Sequence, residues 1–137
     1  MDNYDRKIIR ALRENARTSL AEIGRRVGLS RSAVAERVER LEQSGVVNGY
    51  SVRLGGTAAA GLQAYFQLTF SPFHLHQLAP RLRSIPELTR IHALSGEIDL
   101  MLFAEVESMD RLNQIRGELE RLPDLKRLLT CPVLESL

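Results

Sequence analysis

Apolar residues recur at helical spacing in three stretches before Gly45 and then switch to alternation, so the chain divides into a helical front and a mixed back. Asp2 or Asn3 is placed to cap a first helix from about Tyr4 to Asn15, with Tyr4, Ile8, Ile9 and Leu12 on its buried stripe. Ser19 followed by Glu22 reads as a capping box opening a second helix, in which Leu20, Ile23 and Val27 share one face. Ser30 caps a third, where Val34, Val38 and Leu41 do the same. Gly28 breaks the chain between these two helices, and small Gly24 lets them approach closely. The pattern predicts a helix-turn-helix, whose second helix normally lies in the DNA major groove.

Beyond Gly45, Val46-Val47, the turn dipeptide Asn48-Gly49 and Tyr50 to Leu54 predict a short hairpin, a small wing. The glycine-flanked stretch from Gly55 to Gly61 reads as a linker. From Leu62 to Phe70 apolar and polar residues alternate, which predicts a strand with one buried face. A helix is expected from about Pro72 to Ser84, bent or re-capped at Pro80. Strands from Leu88 to Leu94 and from Ile98 to Val106 follow, joined through Ser95-Gly96-Glu97. Ser108 caps a further helix with Met109, Leu112, Ile115, Leu119 and Leu122 inward, and Leu125 to Cys131 forms the last strand. The fold class is α+β, with a winged helix-turn-helix over 1–54, a linker over 55–61 and a ferredoxin-like βαββαβ domain over 62–137. Nothing in such a chain covers the second face of the sheet, so a homodimer at least is expected.

Composition adds little until charge is divided along the chain. Of the 137 residues 44% are hydrophobic and 26% charged, with no apolar run long enough to span a bilayer. The start, MDNYDRKII, lacks the apolar core of a signal peptide, so a cytoplasmic protein is expected. The net charge of +2 is unevenly placed: residues 1–54 hold 11 Lys and Arg against 7 Asp and Glu, whereas 55–137 hold 8 against 10. An anionic partner therefore belongs to the front half, and double-stranded DNA fits.

With Val34, Val38 and Leu41 inward, the third helix turns Ser32, Ala35, Glu36, Glu39 and Arg40 outward and leaves Arg31 and Arg37 on the flanks. Short side chains at Ser32, Ala33 and Ala35 let the helix start sink into a groove. Arg31, Arg37 and Arg40 reach bases or phosphates, Glu36 can accept from a cytosine amino group, and Ser30 offers a hydroxyl at the positive helix end. Arg17 and Ser19, at the start of the second helix, are placed for a phosphate. The alternative is that Arg37 and Arg40 pair with Glu36 and Glu39 on a solvated face.

Asp5-Arg6-Lys7-Ile8-Ile9, Ala16-Arg17, Val27-Gly28-Leu29-Ser30, Arg37 to Glu42, Gly45 to Tyr50 and Ser95 to Asp99, in that order and spacing, resemble the leucine-responsive (Lrp/AsnC) transcription regulators. The resemblance covers nearly the whole chain. It implies a two-fold dimer, often assembled further into rings, that binds promoter DNA and senses an amino acid or related small molecule. By this resemblance Gly96, Glu97, Ile98 and Asp99, with Thr130 on the last strand, would hold the effector: amides near Gly96 receive its carboxylate and Asp99 its ammonium. Ile98 and Leu100 stand where the family's loop commonly carries aromatics, which favours a small or aliphatic ligand. The same residues also read as a plain strand connection. His74 and His76 point apart on a helix, Cys131 is alone, and no nucleophile has an activating partner, so neither a metal, a cofactor nor an enzymatic activity is expected. Two functions remain: a sequence-specific DNA-binding regulator modulated by an effector, or an effector-independent architectural DNA-binding protein.

Overall fold

A computed structural model describes residues 1–55 and 61–137 of the chain, which form two compact units, Met1–Arg53 and Leu54–Leu137. Most of the proposed linker, residues 56–60, lies outside the described residues.

The first unit holds three helices, α1 (Asn3–Glu14), α2 (Leu20–Val27) and α3 (Arg31–Gln43). Each starts on a side-chain cap: Asp2 accepts from the Asp5 N–H, Ser19 from Glu22 and Ser30 from Ala33. Ser19 caps alone, because the Glu22 carboxylate turns to Arg25 and Arg26 rather than back to the Ser19 N–H. Ile8, Ala11, Ile23, Val27, Val34 and Leu41 make one buried core, with Ile9, Leu12 and Val38 packed against it. Tyr4, expected on the buried stripe, is exposed. Gly24 marks the α2–α3 approach: its carbonyl accepts from Gly28 and Leu29, and a Cβ there would lie 2.4 Å from the Leu29 carbonyl oxygen.

The wing does not form. No strand is present over Val46–Leu54; instead Gly45 takes φ +74°, and the Val47 N–H returns to the Leu41 carbonyl as a helix-terminating bond. Val46, Tyr50, Val52 and Leu54 are exposed, and the Tyr50 hydroxyl donates to Glu42 Oε1 at 2.7 Å. Val47 packs on the core, but with the other apolar side chains of the segment exposed a two-stranded hairpin has too little burial to hold itself.

The second unit is β1 (Leu62–Phe70), α4 (Leu75–Arg83), β2 (Leu88–Ala93), β3 (Leu100–Val106), α5 (Met109–Glu120) and β4 (Leu125–Pro132). The strands form one antiparallel sheet in the order β2-β3-β1-β4, the ferredoxin-like arrangement. Phe66 pairs with Leu102 and Leu68 with Leu100, and this face packs with Leu78 and Leu82 of α4 and Leu112, Ile115 and Leu119 of α5. Burying each of these side chains stabilises the unit by about 1.5–3 kcal/mol. Four details differ from the sequence expectation, the first being that β3 starts at Leu100 rather than Ile98. Helix α4 begins at Leu75 rather than Pro72, because Phe73 stacks on Phe70, at 5.6 Å between ring centroids, and holds that segment against β1. It runs through Pro80 without ending. Met109 is exposed, since side chains lean toward the helix N-terminus and the first residue of α5 leans off its end.

On the opposite sheet face Tyr65 of β1 and Phe103 of β3 pair at 5.0 Å between centroids, with the Arg90 guanidinium 5.2 Å from the Phe103 ring. Tyr65 and Leu129 are exposed there.

Candidate nucleic-acid interface and effector loop

Helix α3 presents a polar face. Arg31, Ser32, Glu36 and Arg40 are exposed and Ala33 is half-buried, while Val34 and Leu41 fix the opposite side in the core. Arg31 has no carboxylate within 4 Å among the described residues. The Ser30 hydroxyl accepts the Ala33 N–H at 3.2 Å and lies 3.3 Å from the Ser32 hydroxyl, so the helix start is a small cluster of hydroxyls at the positive end of the dipole. Arg17 and Ser19 are exposed at the start of α2, with the Arg17 N–H donating to Asn15 Oδ1 at 2.9 Å.

Arg37 is placed differently from the other arginines of α3. Its Nη1 donates to Asp2 Oδ2 at 2.7 Å and to Asp5 Oδ1 at 2.8 Å, and its guanidinium lies 5.2 Å from the Tyr4 ring centroid. Neither Arg37 nor Arg40 pairs with Glu36 or Glu39; Glu39 accepts from Gln43 at 3.1 Å, and Arg40 lies 3.5 Å from Asp5. The Asp5 N–H and then the Arg37 guanidinium hold the Asp2 carboxyl down at about 2. The Asp2 N–H and Arg37 lower Asp5 in the same way, and these two carboxylates raise Arg37. Sequence reasoning named Asp2 as a cap but missed that Asp2 and Asp5 pair with Arg37. The signal was present: Asp5 interrupts the apolar stripe of α1, and a charge on a buried face has to find a partner.

The loop between β2 and β3 is tied to the end of β1. The Asp99 N–H donates to the Leu68 carbonyl and the Leu94 N–H to the Asp99 carbonyl, both at 2.9 Å. Asp99 Oδ2 accepts the Phe70 N–H at 2.7 Å, and the Thr69 hydroxyl donates to the Glu97 carbonyl at 3.0 Å. Gly96, at φ +104°, makes the turn, and Glu97 is exposed with Ile98 half-buried beside it. Thr130 is elsewhere. It pairs with Phe66, four residues back along β1 from Phe70 and roughly 13 Å away, and its buried hydroxyl has no hydrogen-bond partner. Among the described residues no group of three His, Cys, Asp or Glu is placed to hold a metal, and no helix is long and apolar enough to cross a membrane.

Two family models match the chain: an AsnC-type helix-turn-helix domain over residues 1–42 and an Lrp/AsnC ligand-binding domain over residues 63–137. The leucine-responsive regulatory protein of Escherichia coli K12 is 32% identical, over 99% of this chain and 86% of its own length. Two solved structures are similar over the full chain. The leucine response regulatory protein of Mycobacterium tuberculosis, 31% identical, superposes with a TM-score of 0.82 over 99% of this chain and 94% of that one. A transcriptional regulator of Neisseria meningitidis in complex with L-Met, 28% identical, gives 0.84 over 100% and 92%.

Proposed function

We propose, from the premise that this chain belongs to the Lrp/AsnC family of DNA-binding transcription regulators, a division of labour between its two units. The first unit reads duplex DNA with α3. Arg31, Ser32, Ala33, Glu36 and Arg40 enter the major groove, and Arg17, Ser19 and Ser30 take phosphates at the two helix starts. The second unit pairs with its counterpart in another copy through the sheet face that carries Tyr65, Phe103 and Leu129. It binds an amino-acid-like effector at the Gly96–Asp99 loop, where backbone amides meet the carboxylate and the remaining oxygen of Asp99 the ammonium. The related Neisseria regulator in complex with L-Met supports an amino acid, and half-buried Ile98 favours an aliphatic side chain, whereas Leu100 is buried in the core and does not line the loop. The protein acts in the cytoplasm on DNA and catalyses no reaction.

The observation that carries the reading is the exposed polar face of α3 set opposite a core of Val34 and Leu41. A duplex selected by the chain from a randomised library supplies the probe. Arg31→Ala should weaken binding to it and, if Arg31 takes a phosphate, lower the salt dependence by about one counterion. Unchanged affinity and salt slope would remove α3 from the interface. One observation favours the architectural alternative, in which no effector binds: Asp99 already accepts the Phe70 N–H, as a plain strand connection requires. Calorimetric titration of the dimer with the proteinogenic L-amino acids decides. Heat from one at millimolar concentration supports the sensor, and silence from all supports the architectural protein.

A further inference from the structure

The α1–α3 contact carries a feature that DNA reading by itself does not need. Asp5 is the buried charged residue among the described residues, its side chain 6% exposed, and it sits on the inner face of α1 where its neighbours are apolar. A carboxylate in that position is stable only when paired and hydrogen-bonded. Its oxygens are both engaged: Oδ2 accepts the Asp2 N–H at 3.0 Å, and Oδ1 accepts Arg37 from α3, 32 residues away, with Arg40 at 3.5 Å from the same oxygen. Asp2 reciprocates by capping Asp5 and accepting the same Arg37 nitrogen. Tyr4 lies against the guanidinium. The Arg37 side chain is accordingly 22% exposed, against 58% for Arg40.

We propose that Arg37 is a positioning residue: through the Asp2–Asp5 cap it fixes the rotation of α3 against the start of α1, and it does not contact DNA. Apolar contacts between helices are non-directional and permit small rotations, whereas a nitrogen held between two carboxylates does not. The difference matters for base reading. A helix with its side chains is about 10–12 Å across, so a rotation of about 10° moves a tip by roughly 1 Å, enough to break a hydrogen bond to a base edge. Arg37 follows Glu36 by one position, so fixing its direction fixes that of Glu36 and, one turn on, Arg40. The proposal rests on the reading of α3 as the DNA-contacting helix.

The test uses the full chain and the duplex it selects, compared with a scrambled duplex of equal length. Measurements are made well below each variant's melting temperature, with helix content checked by circular dichroism. Asp5→Asn removes a negative charge from the DNA-binding unit, so simple electrostatics predicts tighter binding. Positioning predicts the reverse: about tenfold weaker binding to the selected duplex with the scrambled duplex little changed. Arg37→Gln should lose the same preference without altering the salt slope. The double variant should be no worse than either single one, because the two residues act as a unit. Should Asp5→Asn not fold, Arg37→Lys beside Arg37→Gln makes the comparison, the lysine keeping a bridge to the carboxylates and most of the preference. Asp5→Asn binding as tightly as the wild type or more so overturns the proposal. So does a salt slope that falls by about one in Arg37→Gln, which would make Arg37 a phosphate contact. A wild-type chain that prefers no duplex over another instead defeats the underlying reading of α3.

Discussion

The carboxylate of Asp99 accepts the backbone N–H of Phe70 at 2.7 Å, so the residue proposed to meet an effector's ammonium also closes the β2–β3 loop onto the end of β1. The two roles separate by substitution. Asp99→Ala leaves the Phe70 N–H without its acceptor and should destabilise the second unit by about 1–3 kcal/mol in urea unfolding. Asp99→Asn retains an oxygen acceptor and should cost well under that, yet it removes the charge an ammonium needs. In a sensor, the asparagine variant therefore stays folded and loses calorimetric binding of the amino acid. If it binds as well as the wild type, Asp99 serves the loop only.

The sheet was legible because its signal is local. Alternation from Leu62 to Phe70 specifies one buried face, and β1 spans those residues with Phe66 and Leu68 inward. The helix caps at Ser19, Ser30 and Ser108 were legible for the same reason, each being satisfied within three residues. What was not legible depended on distant partners. Val46 to Leu54 has hairpin chemistry but packs only Val47 against the core of its unit, and the Val47 N–H goes back to Leu41. Arg37 reads as one more groove-facing arginine until α1 brings Asp2 and Asp5 to it from 35 and 32 residues away. Thr130 and Asp99 look like parts of one site in the resemblance, yet the β1–β4 register sets Thr130 against Phe66.

Gly24 admits no side chain. A Cβ would sit 2.4 Å from the Leu29 carbonyl oxygen, which is backbone at the entry to α3 and cannot swing aside. Gly24→Ala should destabilise the first unit by about 1–3 kcal/mol through overpacking, despite alanine's better helix propensity, and should shift α3 enough to weaken DNA binding. Stability equal to or above wild type in thermal unfolding would mean that the turn between α2 and α3 gives way easily.

The sheet face bearing Tyr65, Phe103 and Leu129 predicts the oligomeric state. An exposed aromatic over a buried one, with Arg90 against the ring, is costly to leave in water and suits a second copy of the same face. Sedimentation should give a dimer or larger for the wild type. Tyr65→Arg combined with Leu129→Glu should shift it toward monomer while leaving the melting of the helix-covered core intact. A variant that sediments like the wild type would place the self-association elsewhere.

Acid should loosen the first unit in a defined window. The Asp2 carboxyl is held at about 2 against an ordinary 3.8, first by the Asp5 N–H and then by Arg37, and Asp5 is lowered by the Asp2 N–H and Arg37. Because both folded-state values lie below the unfolded ones, the unfolded chain binds more protons as pH falls. The stabilisation is therefore complete above the ordinary aspartate range and is lost as pH drops through the folded values. Urea midpoints of the wild type should fall steadily from pH 4 toward pH 2. In Arg37→Gln one cause of both shifts is gone, so the Asp2 and Asp5 carboxyls should titrate closer to the ordinary value, and the dependence should flatten. Part of it will persist, because the two backbone caps remain and because Glu22, in the same unit, is lowered by Arg25 and Arg26. A carbon-detected NMR titration of the side-chain carboxyls reads the two aspartates directly, and an Asp2 midpoint near 3.8 in the wild type would show that Arg37 and the cap are not engaged in solution.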